Sequence, residues 1–291
     1  MSQPPPSPTE WQPPRPPAPA GPPAPAPPGP ADRWLALPAW VPFATLVGGT
    51  IATLLIGSVV AGIVFAATGS AKGSMPAGLT IGLTVVQDVL FVAAAVYATQ
   101  LVLKRVSPRQ FGLRTTPLRR GLGWIIAVYA AYWVFSSIVL VIFGKPPEQQ
   151  IVTDLKDTQS TAVIAGFAVL TCAIAPIAEE FFFRGFMFNT LAGRIGVGWA
   201  TVITGVVFGL IHFTGSSWIG VLVLGFFGMG LCVLFWRTQS LLPCMALHAL
   251  NNAISFGYTK DWPAVAVVAL VAGSVGVAVG AGTWVSRLAA T

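Results

Sequence analysis

Uninterrupted apolar runs dominate this chain, and several exceed the ~20 residues that a helix needs to cross a bilayer. Eight are visible, at about 40–67, 79–103, 122–143, 162–190, 195–213, 218–236, 241–256 and 264–285. In lipid every backbone N–H and C=O must be satisfied internally, which leaves two solutions, helices and closed barrels. Barrel strands alternate apolar and polar residues; these runs do not. The composition agrees, with 55% hydrophobic and 9% charged residues, against about 25% charged in soluble domains. The expectation is an all-α polytopic membrane protein with about eight transmembrane helices.

Charge then orients the spans. An even number of crossings places both termini on one side. The 104–120 loop holds Lys104, Arg105, Arg109, Arg114, Arg119 and Arg120 and no acid. With Arg15, Arg33, Arg194, Arg237 and Arg287 this side collects eleven basic residues; Lys72, Lys145, Lys156 and Lys260 make four on the other, and Arg184 lies within a span. The Lys/Arg excess of cytoplasmic loops predicts cytoplasmic termini, with the plasma membrane as the expected location. It also accounts for the net charge of +7 with no nucleic-acid partner. Residues 1–33 contain fifteen of the 25 prolines, which predicts a disordered or polyproline II tail whose partner the sequence does not name. Residues 34–120 read as two transmembrane helices and the basic loop, and 121–291 as the remaining domain with its last helix. Cys172, Cys232 and Cys244 lie in apolar runs without metal-type spacing and read as packing residues.

Ionisable residues inside spans are costly, about 2.5–3.5 kcal/mol each on insertion scales, and usually mark a function. Here Asp88, Glu179, Glu180, His212 and His248 all fall within apolar runs. Glu180 and Arg184 are spaced i and i+4, the favourable order for a helical ion pair. Glu179 points about 100° away and needs another purpose. His248 and Asn252 share a helix face in the same spacing. Each group alone has a bland reading: a helix-pinning ion pair, an interfacial histidine, an interhelical polar clasp worth about 0.6–2 kcal/mol. Together they leave both histidines and two of three buried acids on neighbouring helices without a reason. Asp88, beside Gln87, reads as a polar anchor between helices.

In order, Glu179-Glu180-x-x-x-Arg184, Phe208-x-x-x-His212 and His248-x-x-x-Asn252 resemble the three signatures of the CPBP (CAAX protease and bacteriocin-processing, or Abi) family of intramembrane proteases. The similarity covers roughly residues 120–260, and Phe111-Gly112-Leu113-Arg114 resembles the stretch that precedes this domain in bacterial members. The resemblance implies an intramembrane endopeptidase acting on a membrane-associated, prenylated (CAAX-like) or leader-peptide substrate. Glu179 and His212 would hold and activate water, His248 and Asn252 would donate to the oxyanion, and Glu180 with Arg184 and Phe208 would support them.

Zinc is the competing chemistry. Glu179, His212 and His248 match a catalytic zinc site in ligand type, but His-Glu-x-x-His is absent and asparagine is an unusual ligand, so metal-free glutamate chemistry is favoured. Two non-proteolytic readings stand beside it: an immunity or scaffold protein that keeps the fold, and a small transporter using these residues as a proton relay. The transporter reading is weakened because no internal repeat is visible. Helical rise places Glu179 and His212 at similar depths, about 20–25 Å from the turn near Arg194, with His248 less deep in its own span.

Overall fold

A computed structural model describes residues 34, 36–68, 76–104, 106–144, 147 and 150–288. The expected Pro-rich tail, 1–33, lies outside them. The described chain is helical, with no strand. The helices are α1 (Val41–Thr68), α2 (Ala77–Leu103), α3 (Leu118–Phe143), a short α4 (Gln150–Asp157), α5 (Thr161–Val169), α6 (Ala175–Glu180), α7 (Asn189–Leu210), α8 (Trp218–Thr238), α9 (Leu241–Thr259) and α10 (Ala264–Leu288).

Six described stretches are long and apolar enough to cross a membrane. One of them, Thr161–Gly215, has 55 residues and would be about 80 Å long as a straight helix, far more than the ~30 Å hydrocarbon layer. It folds back at Gly196, whose φ of 77° suits a residue without a Cβ. That stretch therefore supplies two passes, and α9, kept off the apolar set by His248, Asn251 and Asn252, supplies the eighth. The chain is an all-α integral membrane protein. Serine caps start three of the domain's passes: Ser160, Ser217 and Ser240 accept from the backbone N–H of Val163, Gly220 and Leu242. Each satisfies an N–H that the first helical turn leaves unpaired.

The fourth pass is not a uniform helix. Pro176 has no N–H to give the ladder, and wide π turns flank α6 at Leu170–Ile174 and Phe181–Phe188. Single wide turns of this kind recur at functional sites.

Loop contacts sort the ends of the bundle. At one end Arg194 Nε donates to the Leu37 carbonyl (2.7 Å), Arg114 Nε to the Gln239 carbonyl, and Ser240 Oγ to the Arg114 carbonyl; Arg237 lies over the Trp124 ring at 4.8 Å. At the other, Lys260 Nζ donates to the carbonyls of Leu155 (3.0 Å) and Thr158 (3.2 Å), and Phe143 meets Trp218. The loops grouped by alternate counting thus meet in space, and one end is basic.

The core sits toward that basic end. Phe182, Phe183, Phe186 and Phe188 are buried with Phe111, Phe235 and Trp34. The 108–114 segment docks on it, with the Phe111 carbonyl against Gly185, where a Cβ would come within 2.9 Å.

Candidate active site

Glu180 lies at the C-terminal end of α6, fully buried, and its Oε1 accepts twice. Arg184 Nη1 donates to it at 2.8 Å, and the Nδ1 of His248, arriving from α9, lies at the same distance. A carboxylate can only accept, so His248 carries its proton on Nδ1 in this contact. The predicted Glu180–Arg184 pair therefore exists, and it has a third member. Arg184 Nη2 donates to the Gly228 carbonyl of α8 (3.0 Å), and its guanidinium lies 4.5 Å from the Phe208 ring centroid.

Glu179, one residue back, turns away from Arg184 into a cavity of about 640 Å³. Its Oε2 has no hydrogen-bond partner and faces His248 Nε2 at 3.9 Å. His212, His248, Asn251 and Asn252 line the same cavity. His212 is not within a helix: α7 ends at Leu210, and His212 opens the turn at Phe213–Gly215. Its Nδ1 pairs with the Phe208 carbonyl (2.8 Å), which leaves Nε2 for the cavity. Phe208 is a hub, its ring 5.1 Å from the His212 ring and 5.8 Å from that of His248.

Asn252 spends one Nδ2 hydrogen on the Thr171 carbonyl (2.8 Å), which ties α9 to the first π turn. Asn251, which no motif reading singled out, is buried at the same wall; its position next to Asn252 was the available signal. Gly228 and Thr171 contribute only backbone oxygens, and side-chain patterns carry no trace of such roles. Asp88 is buried on α2, and its neighbour Gln87 lines the cavity.

The depth mismatch of His248 is closed in the fold, where its ring reaches Glu180 Oε1 at 2.8 Å and Glu179 Oε2 at 3.9 Å. As for zinc, no three His, Cys, Asp or Glu side chains among the described residues converge to hold an ion. Glu179 and His248 approach each other, but His212 does not join them as a third ligand, so the set does not fit a preformed zinc centre.

No curated protein and no solved structure matches the chain. Residues 161–254 match the family model for type II CAAX prenyl endopeptidases, Rce1-like. The matched stretch runs from the start of α5 past Asn252 and contains all three motifs, so the chain carries an Rce1-like domain of the CPBP family of intramembrane proteases.

Proposed function

We propose that this domain hydrolyses a peptide bond with a water activated by Glu179, without a metal. The observation that carries the reading is that Glu179, whose Oε2 has no hydrogen-bond partner, lines a cavity shared with both histidines of the chain. Glu179 accepts a proton from water as the oxygen forms a bond to the scissile carbonyl carbon. His212 Nε2, free because Nδ1 is engaged, accepts a hydrogen bond from the second O–H of that water and orients it. The carbonyl π electrons move to oxygen, and the oxyanion takes hydrogen bonds from the remaining Asn252 N–H and from His248 Nε2 when that ring is protonated. Preorganised donors of this kind supply much of the rate in acyl-transfer chemistry. Collapse breaks the C–N bond, and Glu179 returns its proton to the leaving nitrogen. Glu180 and Arg184 hold the His248 ring. Candidate substrates are membrane-associated, prenylated or leader-peptide segments. Comparative membrane proteomics of cells carrying wild type or Glu179→Ala tests this: uncleaved termini should accumulate in the variant. Identical terminal profiles would refute the proteolytic role and favour the scaffold reading.

A further inference from the structure

The two sides of the site differ sharply in chemistry. Toward the basic end, α6 runs into Phe181, Phe182, Phe183 and Phe186, each at most 8% exposed. α9 approaches from that end through Leu241, Leu242, Cys244, Met245 and Leu247, all buried. Among the described residues the side chains of this layer are aromatic or aliphatic, with one cysteine and one methionine. Toward the opposite end, α9 carries Asn252, Ser255 and Thr259 up successive turns from His248, and all line the cavity. Thr84 and Gln87 of α2 line it too, with Thr214 beyond His212. Polar side chains at three- and four-residue spacing form a stripe on one helix face, and this stripe ends where the catalytic groups begin. Leu155, whose carbonyl is held by Lys260 at the acidic-and-basic, far end of the bundle, caps the cavity's rim. Laterally the cavity is flanked by Leu54 and Leu210, each more than half exposed.

From this asymmetry we infer that the site is loaded from the end opposite the basic loops, and that its substrate is an extended juxtamembrane peptide segment presented on the non-cytoplasmic face. The inference rests on the proteolytic reading for its substrate and on the charge rule for the name of the face. The path itself rests on the cavity. Water for hydrolysis enters by the same polar stripe, and the aromatic layer keeps the site closed to the cytoplasm. A segment anchored in the outer leaflet can reach Glu179 between α1 and α7 without crossing the bilayer.

The test uses the full chain in right-side-out and inside-out vesicles, probed with a charged, membrane-impermeant methanethiosulfonate. Cysteine is introduced as Ser255→Cys and, separately, as Thr84→Cys in case the first variant folds poorly. Arg114→Cys marks the basic end, and the native chain with its buried cysteines gives the background. The cavity cysteines should react at least tenfold faster in the vesicle orientation in which Arg114→Cys is silent. A smaller ratio, modification from the Arg114 side, or no modification in either orientation overturns the inference. Terminal proteomics of the Glu179→Ala strain separates the two claims. Uncleaved sites on cytoplasmic segments would sink the inference and keep the protease, whereas correct labelling with unchanged termini would keep the path and sink the protease.

Discussion

Glu180 decides the behaviour of two neighbours at once, and this shapes what mutation should do. Removing one partner of a buried ion pair costs about 3–5 kcal/mol, whereas replacing both by apolar groups is often close to neutral. Arg184→Leu or Glu180→Leu alone should therefore lower detergent thermal stability strongly. The double replacement should recover only part of the loss, because Glu180→Leu also strands His248 Nδ1, which lies 2.8 Å away. Full recovery in a thermal double-mutant cycle would mean that the His248 contact contributes little. Glu179→Gln is expected to behave differently. It removes a proton acceptor and almost no volume at an oxygen that has no hydrogen-bond partner, so activity should fall at least a hundredfold while the melting temperature stays within a few degrees. Prolonged chelation and dialysis should leave activity intact, with well under one equivalent of zinc by elemental analysis. Loss of activity restored by added zinc would overturn the metal-free reading.

Helix pairing positions these side chains, and the tightest pair is α7 against α8. Gly205 and Gly209 of α7 face Gly225 and Gly228 of α8, and a Cβ on Gly205 would lie 2.8 Å from the Gly225 carbonyl. Small residues permit this approach in membranes, where packing rather than water drives association. The closeness has a chemical consequence, since it brings the Gly228 carbonyl to Arg184. Gly205→Ala should thus cost about 1–3 kcal/mol of overpacking and reduce cleavage by loosening Arg184. Gly62→Ala, with nothing within 4 Å of its would-be Cβ, should do neither. Equal melting temperatures for the two variants would show that the α7–α8 contact is looser than described.

Across the whole molecule, charge and architecture are consistent: the loops carrying Arg114, Arg194 and Arg237 meet at one end, and those around Leu155 and Lys260 at the other. Impermeant labelling of Arg237→Cys should match Arg114→Cys in sidedness, with Lys260→Cys opposite. If Arg114→Cys and Lys260→Cys react from the same face, the crossing count between them is wrong.

The apolar runs by themselves determined the helical, membrane-spanning class, because a backbone in lipid has no other open solution. The i,i+4 spacing was enough to pair Glu180 with Arg184 and to turn Glu179 away from them, since both follow from the geometry of one helix. What lay beyond the reach of spacing were contacts between helices. The bond from Glu180 to His248 joins residues 68 apart, and the Asn252 tie to Thr171 joins residues 81 apart. The departure of His212 into a turn, the π turns around α6 and the short α4 also escaped, because local apolar runs blur wide turns and helix ends. The direction in which the site opens was decided only in three dimensions: polar Ser255 and Thr259 and apolar Phe181 and Phe182 take on opposite meanings once the fold sets them on opposite sides of Glu179.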